Sequence, residues 1–506
     1  MQEFQSLLGI DVEYVRGQGN TLYFLDEAGK EVPVIDYAGG YGALVLGHNH
    51  PDVVATAQSF LRDQRPVLAQ ISRQPAADRV TARLNEIIRR ETGTTEPYYA
   101  VYSNSGAESI EVALKQAEFD RGLNLRALLA EIAGHLDEAR VAVRSGAAAL
   151  PDDTAGGFEA LAARVDAANA AAAALPPVFL CLEGSFHGKL VGSVQLTHNP
   201  AHRGPFTALA AQARFIPVDQ PEAIAKIAEE ERAVLLDLRV EDGRIRVVER
   251  DFSLLTALFM EVIQGEGGIR VVTEEQARGI QRACAAIDCP IVVDEIQSGM
   301  GRTGAFFASS LIGLRADYYT LAKGLGGGVA KTAVTLVRAS RFRREFGLIH
   351  TSTFAKDGLS LAVTLTVLDI LEAHGGQAYR QAVERGERLT GLFRSLIDDY
   401  PDILKEVRGK GLMLGLEFRG LPDTADSRSG DPTRSDMLGY FISGYLLRAH
   451  RIRTFPTASA VNTLRFQPSV HLAESEIADL EKALRDVCAK LRDRDEQAFF
   501  GPAPVE

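Results

Sequence analysis

The residue with the clearest chemistry is Lys323, in Tyr319-Thr320-Leu321-Ala322-Lys323-Gly324-Leu325-Gly326-Gly327-Gly328. An apolar, strand-like run ends in a lone lysine, and glycines follow at once. Asp294, 29 residues earlier, closes a second apolar run, Ile291-Val292-Val293, and Glu295 follows it. A lysine and an acid at neighbouring strand ends suit a cofactor with an aldehyde and a cationic ring nitrogen. Pyridoxal 5'-phosphate (PLP) has both: the lysine adds to the aldehyde and the carboxylate holds the ring proton.

Ser103-Asn104-Ser105-Gly106-Ala107-Glu108-Ser109 offers the matching phosphate site. It lies between a predicted strand and a helix predicted from about Ser109 to Glu118. Small residues there let the backbone N–H groups of Gly106 and Ala107, with the Ser105 hydroxyl, approach an anion at the positive end of the helix. Neither a Walker A motif nor a Gly-x-Gly-x-x-Gly after the first strand occurs, and the glycines beside Lys323 follow the lysine instead of preceding it. Nucleotide binding is therefore disfavoured.

The elements that must position these residues read as an α/β fold. From about residue 52, short apolar strands (98–102, 178–182, 257–262, 290–293, 318–321 and 333–337) alternate with helical stretches. That alternation predicts a mostly parallel sheet flanked by helices. Residues 11–37 read as short strands with turns. A helix over 359–373, a strand over 411–417 and a helix over 474–494 follow. The expected division is 1–51 as the first part of a small α+β domain, 52–345 as the large PLP-binding domain, and 346–506 as the rest of the small domain. Residues 120–176 read as a helical hairpin inserted in the large domain, broken at Pro151-Asp152-Asp153. It is either surface or dimer-edge decoration, or a lid or docking surface for a carrier or partner protein.

With 506 residues and 46% hydrophobic content, the chain can bury a large core. A net charge of -12 argues against nucleic-acid or anionic-membrane partners. No run approaches the roughly 20 apolar residues of a membrane span, and Met1-Gln2-Glu3-Phe4 lacks the start of a signal peptide. Cys181, Cys284, Cys289 and Cys488 are too few for a disulfide framework and match no zinc spacing, so buried free thiols and no metal are expected. Together these point to a cytoplasmic enzyme.

The chain resembles the class III aminotransferases, PLP enzymes of fold type I that include ornithine, acetylornithine and 4-aminobutyrate aminotransferases. The matching blocks include Gly47-His48-Asn49-His50-Pro51, Asn104-Ser105-Gly106-Ala107-Glu108, Gly184-Ser185-Phe186-His187-Gly188-Lys189 and Gln264-Gly265-Glu266-Gly267-Gly268. The most specific are Asp294-Glu295-Ile296-Gln297-Ser298-Gly299-Met300-Gly301-Arg302-Thr303-Gly304 and Ala322-Lys323-Gly324-Leu325. Ser352-Thr353-Phe354, Val407-Arg408-Gly409-Lys410-Gly411 and Leu464-Arg465-Phe466 complete the set.

The resemblance implies a role for each matched residue. Lys323 binds the cofactor aldehyde and serves as base for the 1,3-proton shift. Asp294 pairs with the pyridinium, Gln297 bonds the phenolic oxygen, and Phe186 stacks on the ring with His187 beside it. Thr353 reaches the phosphate of the neighbouring subunit, which implies a homodimer with shared sites. On the substrate side, Tyr41 contacts substrate, and Glu266 with Arg465 forms a carboxylate switch. Lys189 stands where some members have an arginine, and it is a poorer bidentate clamp.

Two departures from the family pattern stand out, the first bearing on specificity and the second a minor backbone change. Ala355-Lys356-Asp357-Gly358 replaces the family's Gly-Gly-Asn-Pro, and Glu261-Val262 replaces its Glu-Pro. With the insertion, they favour a specialised biosynthetic enzyme. The expected activity is transfer of an amino group between an amine or ω-amino compound and glutamate/2-oxoglutarate. A same-fold aminomutase or decarboxylase would use the same Lys323 and Asp294. A non-catalytic binding protein would have kept the fold without the turnover.

Overall fold

A computed structural model describes residues 8–152, 154–420 and 437–500. Met1–Phe4 and Asp153, both weighed above, lie outside the described residues.

Seven strands form the central sheet, in the spatial order Tyr98–Ser103, Ala333–Arg338, Tyr318–Leu321, Ile291–Asp294, Leu255–Glu261, Val178–Leu182 and Ala213–Ile216. Only Ala333–Arg338 runs against its neighbours; the other strands share one direction. The expected mostly parallel sheet is present. Ala213–Ile216 is an added edge strand; its residues Ala213-Arg214-Phe215-Ile216 include a charge and lack the continuous apolar run of the central strands.

Period-2 alternation sorts the sheet's side chains into two cores. Leu180, Leu258, Val293 and Tyr319 face one side, packed with Leu84, Ile87, Leu361 and Val367. Phe179, Phe259, Val292 and Tyr318 face the other, against Ile110, Ala113 and Ala117. Helices on both faces bury the sheet, as continuous apolar strands require.

The N-terminal strands Tyr14–Gln18, Thr21–Leu25 and Glu31–Asp36 form a sheet with Ile452–Arg453, which pairs in parallel with Ile35 and Asp36. A second small sheet holds Leu404–Lys410, Met413–Phe418, Ala460–Phe466 and Pro456–Thr457. Gly358–Asp399 is helical with a kink at Ala373–Gly376, where the sequence predicts the helix to end. Among the described residues, this is the one helix long and apolar enough to cross a membrane. Its apolar face, with Leu361, Val367 and Leu371, packs into the main core.

The 120–176 segment differs from expectation. The helix predicted to stop at Glu118 continues as Gly106–Arg144, 39 residues with no proline to break it. Its first turns pack on the sheet and its second half overhangs. There it packs with the helix Gly157–Ala173 and a β-hairpin, Arg232–Glu241 with Arg244–Ser253. Leu136, Phe158, Leu161, Val165, Leu238 and Ile245 give this unit its own small core. The sequence reading missed the hairpin, although Asp242-Gly243 between two ten-residue β-rich runs is a tight-turn signal. All four cysteines are buried and free.

Candidate active site

The parallel strands deliver their ends to one edge of the sheet, where ligands bind in open α/β folds. Asp294 ends its strand, in register with Glu261 on one side and Thr320 on the other. Lys323 follows Leu321 by two residues, and Gly106 follows Ser103 by three. A cavity of about 240 Å³ opens there, lined by Gly106, Ala107, Phe186, His187, Gly188, Glu261, Glu266, Asp294, Ile296, Gln297 and Lys323. The sequence-predicted residues Gly106, Ala107, Phe186, His187, Glu266, Asp294, Gln297 and Lys323 thus meet on one wall system.

Lys323 has φ 46°, in the left-handed region that a side chain rarely adopts. Such strain persists where surrounding structure imposes it, commonly at functional sites. Burial lowers its pKa to about 8, against the opposing pull of the Glu266 and Asp294 carboxylates. The amine therefore sheds its proton more readily than an ordinary lysine.

The Asp294 carboxylate is held at both oxygens: His187 Nδ1 stands 2.9 Å from Oδ2, and Ile296 N–H donates to Oδ1 at 3.0 Å. Glu261, one strand over, accepts from Phe186 N–H and Gly265 N–H, each at 2.9 Å. Burial pushes the Glu261 carboxyl above its usual range. Ser105 caps the long helix, its hydroxyl accepting from Glu108 N–H at 3.3 Å. That leaves the first-turn N–H groups of Gly106 and Ala107 without helical partners. A Cβ on Gly106 would stand 2.9 Å from Ile296, so glycine is required for the close packing.

Glu266 and Arg465 form a two-pronged ion pair, with Nη1–Oε1 at 2.8 Å and Nη2–Oε2 at 2.6 Å. Ala458 N–H also donates to Glu266 Oε2 at 2.8 Å, and Arg465 donates to the Pro456 carbonyl at 3.2 Å. Burial opposes ionisation of Glu266, yet Arg465 and the Ala458 N–H hold its pKa below the ordinary range. Tyr41, with φ 55°, lies beside this pair: the Arg465 guanidinium carbon is 5.0 Å from its ring centroid. The Phe455 ring lies nearly parallel to that of Tyr41, with centroids 6.3 Å apart.

Five predicted residues stand outside the cavity lining: Ser105, which caps the long helix, Arg465, which pairs with Glu266, and Tyr41, Lys189 and Thr353. Tyr41 is half exposed. Lys189 is exposed, with Nζ 6.0 Å from the Phe186 ring centroid. Thr353 is exposed, and its carbonyl accepts from Gln70 Nε2 at 3.1 Å. In the altered loop, Asp357 caps the helix that starts at Gly358, accepting from Ser360 N–H at 2.9 Å.

Sequence reasoning passed over Glu261 as a functional wall residue and stopped one residue short of Gln467. Gln467 Oε1 accepts from Gln297 Nε2 at 3.0 Å. An acid closing a fully apolar strand was the available signal for Glu261. Gln467 carries no local signal.

The donor set fits PLP. A buried carboxylate aimed at the cavity suits the pyridinium, a low-pKa amine suits the aldehyde, and free N–H groups at a helix start suit the phosphate. The family model for the class-III aminotransferases matches residues 6–473, and the chain belongs to that family. It is a PLP-dependent transaminase. The fold is shared with the ornithine aminotransferase of Toxoplasma gondii (20% identity, 96% of this chain and 92% of that one, TM-score 0.67). It is shared as well with an amine transaminase from an uncultivated Pseudomonas species (20%, 95% of each chain, TM-score 0.68). The acetylornithine aminotransferase of Elizabethkingia anophelis matches at 21% identity over 95% and 94% of the chains, TM-score 0.63.

Proposed function

We propose that this enzyme moves an amino group between an amine or ω-amino compound and glutamate/2-oxoglutarate, in a specialised biosynthetic role. The observation that carries the reading is the Glu266–Arg465 pair on the wall beside Lys323. Arg465 is buried, with its side chain 1% exposed, and Glu266 is its only carboxylate partner among the described residues. A buried ion pair gains little net energy, because desolvation offsets the Coulomb attraction. A substrate carboxylate can therefore replace Glu266 on the guanidinium at small net cost, keeping the bidentate geometry. When an amine without that carboxylate enters, Glu266 returns and neutralises the arginine.

PLP, when bound, supplies the electrophilic aldehyde and an electron sink for the substrate carbon. Asp294 would hold the proton on the ring nitrogen, fixed in place by His187 and the Ile296 N–H. Phe186 would cover one ring face, Gln297 would donate to the phenolic oxygen, and Ser105, Gly106 and Ala107 would take the phosphate. Lys323 Nζ would bind the aldehyde and then carry the proton to and from the substrate carbon. Tyr41, near both Arg465 and Phe455, would screen the switch from water and contact substrate. We assign Thr353 to the phosphate site of the neighbouring subunit, so that a homodimer completes both sites.

Rapid-mixing measurement of each half-reaction tests the reading. Arg465→Ala should depress the glutamate half-reaction far more than the amine half-reaction. Glu266→Gln should do the reverse, since the guanidinium is then always ready for a carboxylate. Equal losses in both halves would reduce the pair to a structural salt bridge. Turnover that needs no oxo acid acceptor would favour an aminomutase or decarboxylase instead.

A further inference from the structure

We infer that Gln467 is a positioning residue: it fixes the Gln297 amide so that an N–H, and not the carbonyl, is presented to the phenolic oxygen of the cofactor. The inference rests on the reading of Gln297 as that oxygen's donor.

A glutamine amide has a donor end and an acceptor end of nearly equal size, so something must choose between them. Gln297 lies on the cavity wall. Its Nε2 donates to Gln467 Oε1 at 3.0 Å. Its Oε1 lies over Gly265, where a Cβ would stand only 1.9 Å away. One N–H is thus used on Gln467 and the carbonyl is parked over a glycine. The second N–H is the group left for a ligand in the cavity. Turning the amide over would set Gln297 Oε1 against Gln467 Oε1, two acceptors with no proton between them.

The arrangement needs Gln467 itself to keep its oxygen toward Gln297, and Arg302 supplies the reason. Arg302 is fully buried and has no carboxylate partner among the described residues. Its Nη1 donates to the carbonyls of Leu412 at 3.0 Å and Pro468 at 2.9 Å, while Nε and Nη2 are unpartnered. Arg302 Nε and Gln467 Oε1 border the same space beside Gly42: a Cβ there would lie 3.7 Å from the former and 3.2 Å from the latter. An uncompensated positive charge on that side favours the oxygen end of the Gln467 amide over its NH₂. Gln467 is 0% exposed, and its backbone is fixed by its N–H on the Tyr37 carbonyl at 2.7 Å. Its side-chain Nε2 is unpartnered among the described residues, so the bond that Oε1 accepts from Gln297 Nε2 is the hydrogen bond its amide makes. Gly42, with φ 88°, leaves the room the three side chains occupy.

The test reads the pH at which the absorbance of the PLP-loaded protein changes. A donor on the phenolic oxygen favours the form with more negative charge there, the deprotonated one. Losing the donor therefore raises the midpoint, by about one unit for a hydrogen bond to a charged group. Gln297→Met should raise it. Gln467→Met, similar in length but without the acceptor, should raise it by about half as much or more. The double variant should move no further than Gln297→Met alone, because the two residues act through one hydrogen bond. Gln467→Asn keeps the amide but withdraws it by a methylene, and should shift the midpoint in the same direction if Gln467→Met does not fold. Gln467 variants with the parental midpoint, beside a shifted Gln297→Met, would overturn the positioning role. An unshifted Gln297→Met would instead overturn the donor reading of Gln297, and the role of Gln467 with it. Lower melting temperatures with unchanged midpoints would make Gln467 a packing residue only.

Discussion

His187 Nδ1 lies 2.9 Å from Asp294 Oδ2, and the Ile296 N–H lies 3.0 Å from Oδ1, so the acid is oriented at both oxygens before any cofactor arrives. An ion pair at about 4 Å is worth roughly 4 kcal/mol at an effective dielectric near 20. Asp294→Asn should therefore lower turnover about a thousandfold with PLP still bound. His187→Phe removes one hydrogen bond to the charged group and should cost about ten- to a hundredfold. Near-normal kcat in Asp294→Asn would remove the acid from the mechanism.

Lys323 should be the residue fixed to the cofactor when the loaded enzyme is reduced with borohydride and its peptides are mapped. Label on another lysine would contradict the assignment. Its pKa of about 8 also predicts how apoenzyme takes up PLP. The uptake rate should rise with pH and level off above about 8, more than two units below an ordinary lysine at 10.5. The same shift has a stability signature. The folded state binds fewer protons at Lys323 than the unfolded state between about pH 8 and 10.5, so this lysine's contribution to apoenzyme stability rises across that window. Lys323→Met should abolish that rise in denaturant titrations compared across pH.

If Thr353 completes the neighbour's phosphate site, the active species is a dimer. Light scattering should give twice the chain mass wherever the enzyme is active. Thr353→Ala should raise the PLP dissociation constant by about tenfold, the value of one hydrogen bond to a phosphate. A monomer that is fully active on dilution would contradict the shared site.

The overhanging unit formed by the second half of Gly106–Arg144, the helix Gly157–Ala173 and the 232–253 hairpin is pinned by Asp237. This carboxylate is 0% exposed and meets His135 Nδ1 at 3.1 Å, Arg250 Nη1 at 3.1 Å and Arg239 Nε at 3.0 Å. Arg239 and Arg250 are partly exposed and keep Glu131 as a second partner, so removing Asp237 costs about 1–3 kcal/mol, mostly through the buried hydrogen bonds left unmade. Asp237→Ala should speed hydrogen exchange across 120–176 and 232–253 while both half-reactions stay within about twofold, since surface units far from a site seldom move it. A parallel loss of turnover would show that the unit is coupled to the active site.

The sequence by itself determined the strand-end positions of Lys323 and Asp294 and the small-residue turn Ser105–Ala107 before a helix, while the Phe186–His187 wall came only from the family resemblance. Lys323, Asp294 and the Ser105–Ala107 turn each close or follow a strand, and in a parallel sheet all strand ends of one sense fall on one edge; Phe186–His187 lies in the loop after the strand Val178–Leu182. Local patterning is therefore enough to bring them together. Only the tertiary structure decided the rest. The left-handed Lys323 backbone, the continuous helix to Arg144, and the hairpin that supports it depend on packing between distant segments. The Gln297–Gln467 bond joins residues 170 positions apart. Whether the Gln297 amide offers a proton or a lone pair depends on Arg302 in its own run together with Gln467 and Gly265 from two distant segments, and no local run of residues contains all of that information.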